Sequence, residues 1–355
     1  MRTGVAGLIR THRIARLAVV GLAVLASRAA RGQESDPRSP LAQAAQALAR
    51  RSIETSFRLM NRPFEPFRLI GNVYYVGASD VSSFLITTPE GHILIDSGFA
   101  ATVPLIRDGV RKLGFRFEDI RILLNSHAHV DHAGGHALLK RLTGARIVMS
   151  AADARLLAQG GRGDFLPVSE EVLAYEPAQA DRIIGDGDHV TLGGVTLTAH
   201  LTPGHTQGCT TWTMVVEEAG KNHDVVFYGS TTLLPGVRLV GNPKYPGMAE
   251  DFARTFRVLK ALPCDVFLGP HGSQFGLREK ARRLAAGEKP NPFIDPAGYR
   301  AFLAQSEQVV AQRMERERRG SGSRHESGQG DGESRPPAGP PASAASRSQP
   351  EGREP

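Results

Sequence analysis

The chain has 355 residues, 41% of them hydrophobic and 22% charged, with a formal net charge of +7. Six arginines and no acid stand in residues 1–32, so nearly all of the excess charge sits in the first tenth of the chain and the rest makes no case for a nucleic-acid-binding surface. The remainder is long enough to bury a full core without disulfide staples; Cys209 and Cys264, the only cysteines, read as buried free thiols, with pairing in an oxidising compartment as the alternative.

Residues 1–32 have an arginine-bearing start, an apolar run over 17–26 and small residues at 29–32, the layout of a secretory signal. The run is shorter than the about 20 residues that span a bilayer. A periplasmic or secreted protein is expected, with no stable membrane association once the leader is removed. Residues 33–66 form an N-terminal extension, helical in pattern through 41–49. A single folded domain covers 67–319. Residues 320–355 hold no Leu, Ile, Val or Phe and are expected to be a disordered tail.

Inside the domain, residues 67–70 and 72–76 read as strands, and 83–87 and 92–96 flank the turn Pro89-Glu90-Gly91 as a hairpin. Residues 103–113 have helical spacing and stop at Gly114. A strand over 120–124 runs into Ser126-His127-Ala128-His129-Val130-Asp131-His132. A helix over 136–142, a strand over 146–149 and a helix over 151–159 follow. Residues 160–180 are irregular and glycine-rich at the start; a loop of that length is either functional, as a lid, or a surface excursion. Strands are expected over 189–192, 195–201, 210–216 and 225–228, then a helix over 248–262, a strand over 265–268 and helices over 278–286 and 296–316. Two similar halves emerge, which predicts an α/β fold of two sheets packed face to face with helices outside.

The motif after the strand at 120–124 puts four metal-type donors, His127, His129, Asp131 and His132, within six residues. A turning loop aims all four into one cavity, whereas a continued strand would send His132 to the opposite face. Imidazole with carboxylate suits zinc, at roughly 2.0–2.2 Å from the metal. Four donors overfill one open site and underfill two. His205, in Thr202-Pro203-Gly204-His205-Thr206, and His271, in Leu268-Gly269-Pro270-His271-Gly272, complete a set of three for each of two Zn2+ ions, each keeping an open position. Two such ions about 3.5–4 Å apart share a water and bring its pKa toward 7, which points to hydrolysis of a carbonyl or phosphoryl bond. Among the other histidines, His200 reads as a strand residue and His92, His136, His189 and His223 as surface or turn residues.

In these motifs, together with Leu94-Ile95-Asp96-Ser97-Gly98, the chain resembles the metallo-β-lactamase superfamily, over roughly residues 61–316. The resemblance implies a four-layered αββα sandwich. Glyoxalase II enzymes and lactonases carry a metal-bridging Asp after the strand that here ends at Tyr228, and some β-lactamases a cysteine ligand; Gly229-Ser230 offers neither. What remains is similar to subclass B3 metallo-β-lactamases, also in Asn61-Arg62-Pro63, Gly241-Asn242-Pro243-Lys244-Tyr245-Pro246 and Ala261-Leu262-Pro263-Cys264-Asp265. That implies a first zinc on His127, His129 and His205, a second on Asp131, His132 and His271, Asp131 also as the catalytic proton acceptor, and Asp96 as a brace for the histidine segment. It implies hydrolysis of the β-lactam amide bond of penicillins, cephalosporins and carbapenems; for the oligomeric state, which the sequence leaves open, a monomer is the default expectation. Ser230, Thr231 and Thr232 are the implied substrate contacts, although two serine positions of the subclass read Thr231 and Leu233 here. A subclass disulfide that would use Cys264 finds no second cysteine downstream. The alternative is another hydrolase on the same fold, such as a lactonase or a thioesterase.

Overall fold

Alternation along the central strands builds two cores at once. In β3 (Phe84–Thr88), β4 (Gly91–Ile95) and β5 (Ile120–Leu124), Ile86, Ile93, Ile95 and Ile122 enter one core while Leu85, Leu94 and Leu123 enter another. Strands apolar on both faces need a covering layer on each side. The computed structural model, which describes residues 39–326, contains those layers: two mixed β-sheets packed together and flanked by helices. The expected leader, and the expected tail from residue 327 on, lie outside the described residues.

The first sheet has the order β1 (Phe67–Ile70), β2 (Val73–Tyr75), β3, β4, β5, β6 (Arg146–Ser150), β7 (Arg182–Ile184). It is antiparallel up to β4 and parallel from β4 to β7. One face is covered by α2 (Val103–Lys112) and α4 (His136–Thr143), through Ile106, Val110 and Leu139. The other packs on the second sheet through Trp212, Met214 and Val225. That sheet has the order β12 (Val266–Leu268), β11 (Lys221–Phe227), β10 (Thr210–Glu218), β9 (Val195–Leu201), β8 (His189–Leu192). Its outer cover comes from α7 (Met248–Ala261) and α9 (Pro296–Glu326), where Phe267 packs on Tyr299 and Phe302. Between them in sequence, α8 (Leu277–Ala285) adds Leu277 to the same core. By internal contacts the chain divides between Glu317 and Arg318. No helix among the described residues is long and apolar enough to cross a membrane.

The directions of the strands decide where the site forms. Since β12 runs parallel to β11, and β11 and β9 both run antiparallel to β10, the strands β9, β11 and β12 all end at one edge of their sheet. Parallel β4 and β5 likewise end together in the first sheet. The segments after β4, β5, β9, β11 and β12 carry Asp96, His127, His205, Ser230 and His271.

Several elements differ from the sequence reading. The N-terminal helix, α1 (Pro40–Met60), is longer than its apolar pattern because its polar residues tolerate a helix without defining one. A four-residue helix, α6 (Glu170–Leu173), interrupts the irregular 160–180 segment. Strand β7 has no counterpart in the sequence reading, being only three residues with two exposed. Strands β10 and β11 extend to a two-residue turn, Ala219-Gly220, with both φ values positive (53° and 74°), as a tight hairpin requires. Cys209 is buried and Cys264 half-buried, and both are free.

His92 and His136 are not surface residues. His92 packs edge-on against Phe115, and His136 is fully enclosed at the start of α4, its Nδ1 2.7 Å from Ser97 Oγ. Burial lowers the His136 pKa from its ordinary value to about 4. An unfolded chain takes up this proton near 6.5 and the folded chain only near 4, so the stabilisation is complete above pH 6.5 and is lost as pH falls toward 4, by on the order of 3 kcal/mol. Urea unfolding of the metal-free chain between pH 7 and 4 is expected to show a steeper loss of stability for the wild type than for His136→Asn.

Candidate metal centre

The histidine segment is held from below by one carboxyl group. Asp96, directly after β4, sits at φ 60°, a left-handed conformation that costs energy for any residue with a Cβ. Its side chain explains the strain. Oδ1 accepts from the Ser126 backbone N–H (2.6 Å), Oδ2 accepts from the Ser126 hydroxyl (2.7 Å), and Oδ2 lies 3.2 Å from His132 Nδ1. The chain leaves β5 at a fixed angle, and the second sheet adds its own hold: Thr210 N–H donates to Ser126 O and the Trp212 indole to Asn125 O. Beyond His129 the backbone turns at once into a one-turn helix, α3 (Val130–Ala133), so Asp131 and His132 project from a helical turn rather than from the expected loop.

His205 arrives from the other sheet. Gly204, at φ 135°, lets the chain pass against the Phe252 ring, which a Cβ would meet at 3.0 Å. Thr255 fixes the turn by donating to Pro203 O. His271 follows β12, and the N–H groups of Gly272 and Ser273 donate to the backbone and side chain of Asp80.

The structure brings His127, His129 and His205 together, with a ligand-type atom of each within 4.8 Å of the others, and does the same for His127, Asp131 and His132. His271 closes the second group, its Nε2 3.7 Å from Asp131 Oδ2 and its ring centroid 5.0 Å from that of His132. The Nε2 atoms of His127 and His205 face each other at 3.1 Å. Two imidazole lone pairs at that distance repel unless a proton or a cation stands between them. Ligand nitrogens on one tetrahedral zinc are about 3.3 Å apart.

The outward nitrogens of the same rings meet oxygen. His205 Nδ1 donates to Thr232 O at 2.7 Å; His127 Nδ1 is 3.1 Å from Ser126 Oγ, His132 Nδ1 3.2 Å from Asp96, and His271 Nδ1 3.5 Å from Asp80 Oδ2. Such outer partners fix which nitrogen is left to face a metal. Burial, then the neighbouring imidazoles, push His127 and His205 well below the ordinary histidine value, which keeps them in the neutral, ligating form. At His132 burial also opposes charge, but Asp131 and Asp96 outweigh it and raise the value to about 10. Asp131 is buried too, yet His132 and His271 hold it well below the carboxylate range. The donor set thus fits a metal: the neutral, convergent nitrogens of His127 and His205 beside an ionised carboxylate, with a His132 proton that a cation can replace.

The expected substrate contacts differ in exposure. Ser230 and Thr231 are only 2% and 3% exposed. The Thr231 hydroxyl is paired with the Tyr228 phenol, and Ser230 Oγ accepts from Thr232 N–H, so both side chains serve the turn after β11. Thr232 is exposed, its Oγ1 3.5 Å from Gln274 Nε2. The sequence reading also missed Asp80 and Asp164, the latter with Oδ2 3.1 Å from His129 Nε2, since neither belongs to a local motif.

Comparison with known proteins agrees with this geometry. The family model for the metallo-beta-lactamase superfamily matches residues 76–271. The chain belongs to that superfamily. The native FEZ-1 metallo-beta-lactamase of Legionella gormanii is 43% identical, with 73% of this chain and 98% of that one covered at a TM-score of 0.71. BJP-1, a subclass B3 metallo-beta-lactamase of Bradyrhizobium japonicum, is 39% identical, with 74% and 97% covered at a TM-score of 0.69. Within the superfamily the chain is B3-like. Curated relatives match shorter stretches. A probable metallo-hydrolase of Burkholderia pseudomallei is 32% identical over 158 residues, 43% of this chain and 51% of that protein. A hydroxyacylglutathione hydrolase of Hyphomonas neptunium is 35% identical over 103 residues, 29% of this chain and 32% of that protein. The chain thus spans about half or less of the length of these two relatives.

Asp96→Ala leaves the Ser126 N–H, the Ser126 hydroxyl and His132 without their acceptor. At about 1–3 kcal/mol for an unpaired buried group, the metal-free chain is expected to lose on the order of 3 kcal/mol, read as a lowered urea midpoint with an unchanged slope.

Proposed function

We propose that the protein is an exported β-lactam hydrolase that works with two zinc ions, the first on His127, His129 and His205 and the second on Asp131, His132 and His271. The observation that carries this reading is Ser230. Enclosed and turned into its own loop, it leaves the site with neither a bridging carboxylate nor a cysteine ligand, and six donors remain for two metals. The likeness to FEZ-1 over 98% of that chain supports the same substrate class. The arginine-led apolar segment of residues 17–26 supports export.

When bound, the zinc ions supply a water that is acidic enough to attack at neutral pH and polarise the carbonyl under attack. The chain supplies the rest. Asp131 Oδ2, between His132 Nε2 at 3.4 Å and His271 Nε2 at 3.7 Å, is kept ionised and can accept a proton from the attacking water. Thr232 and Gln274 at the rim offer a hydroxyl and an amide N–H to a substrate carboxylate, in place of the serines that Thr231 and Leu233 replace. Phe165, Leu233 and Val237 wall the space beside His205 with apolar surface.

The test is a hydrolysis panel of penicillins, cephalosporins, carbapenems, lactones and thioesters with zinc-loaded protein. β-Lactam opening is expected to dominate and to vanish on chelation; a zinc-replete enzyme that opens no β-lactam would sink the reading. The hydroxyacylglutathione hydrolase relative favours a second reading, a thioesterase, and thioester turnover far above any β-lactam rate would establish it. His271→Ala is expected to bind one zinc fewer by elemental analysis and to lose roughly 100-fold or more in kcat/KM, since even partners one shell further out are worth 10–100-fold.

A further inference from the structure

Four of the five site histidines are steadied by groups on sheet-end segments or on their own strand. His129 is the exception. Its Nε2 meets Asp164, which belongs to the irregular segment after α5 (Ala151–Ala158). Three glycines with positive φ, Gly160 (62°), Gly161 (77°) and Gly163 (77°), fold that segment back over the site. Asp164 Oδ1 accepts from Leu166 N–H at 3.3 Å, which orients the carboxyl group and leaves Oδ2 facing His129 Nε2 at 3.1 Å. The two side chains are 5% and 8% exposed, so little water competes. The other buried acid nearby, Asp153, is engaged by the Asn125 amide at 3.2 Å. The segment is anchored on its far side, with Phe165 against Tyr245 (centroids 5.2 Å apart) and Leu166 in a cluster with Val237, Leu239 and Phe252.

We propose that Asp164 is the positioning residue for His129. Its Oδ2, 3.1 Å from Nε2, stands within reach to accept from Nε2–H once the ring is set on the metal, which selects the tautomer whose free Nδ1 faces the metal and ties the 160–169 segment to the metal centre. This assignment rests on the two-zinc reading above. The segment that sequence alone left undecided between lid and surface excursion then has a definite role, because its correct packing is a condition for a complete first metal site.

The experiment compares the full chain with Asp164→Ala, Asp164→Asn and His129→Ala. Zinc affinities are read by competition with a chromophoric chelator, and the melting curve of the metal-free chain is recorded for each. Asp164→Ala is expected to weaken one of the two sites by about 10–100-fold, the one that His129→Ala abolishes, and to leave the other site unchanged, with the metal-free melting curve shifted only by the loss of the Leu166 N–H acceptor. Asp164→Asn, whose amide oxygen can still accept from Nε2–H, is expected to recover most of the loss. Wild-type affinity at both sites in Asp164→Ala would overturn the assignment, as would an Asn variant no better than Ala. A wild-type chain that takes up no zinc would instead overturn the two-zinc reading, and this assignment with it.

Discussion

The whole centre depends on the carboxyl group of Asp96. A single side chain, held at an unfavourable φ of 60°, accepts both the N–H and the hydroxyl of Ser126 and reaches His132 six residues further on. Strain of this kind persists only where the surroundings over-determine it. Here the surroundings are β4 and β5, parallel neighbours whose ends are fixed by the core on both faces. The energy of burying Ile93, Leu94, Leu123 and their neighbours is thereby converted into the position of four metal-type donors, His127, His129, Asp131 and His132.

The second sheet contributes by direction rather than by composition. Strands β9, β11 and β12 end at one edge, so three turns far apart in sequence converge on the end of β5. One of these turns works mainly through backbone: the carbonyl of Thr232 accepts from His205, while the buried Ser230 and Thr231 stiffen the turn that presents it. Thr231 is thus a packing partner of Tyr228, and the polar groups this turn leaves at the surface are Thr232 and the neighbouring Gln274.

Much of this was legible in sequence because the signals are periodic or local. Alternating apolar residues mark the central strands, and the spacing of His127, His129, Asp131 and His132 needs no tertiary information. His205 and His271 were legible because each stands at a turn after a strand. Asp80 and Asp164 were not, because an outer carboxyl group is defined only by the ring it meets, across 191 residues for Asp80 and 35 for Asp164. The direction of the Ser230 and Thr231 side chains was hidden for the same reason: a turn has no period that says which hydroxyl faces in. His136 looked like a turn residue, and only the packing of α4 against Ser97 shows why a neutral imidazole stands there.

Electrostatics gives these outer groups a common purpose under the two-zinc reading. Two divalent ions bring four positive charges into a space with walls of low polarity, where unbalanced charge is costly. Histidine ligands offset none of it, and Asp131 offers one negative charge. Asp96, Asp80 and Asp164 offer three more, each directed at the far side of a ligand ring. Asp153, raised by burial to about 6, meets the neutral Asn125 amide rather than a ligand ring. The balance is spread over both sheets and one loop, so no single ligand carries it. Without metal, His132 retains a proton for the same reason: the raised value reflects carboxylates arranged around a positive charge, whether that charge arrives as a proton or as a cation.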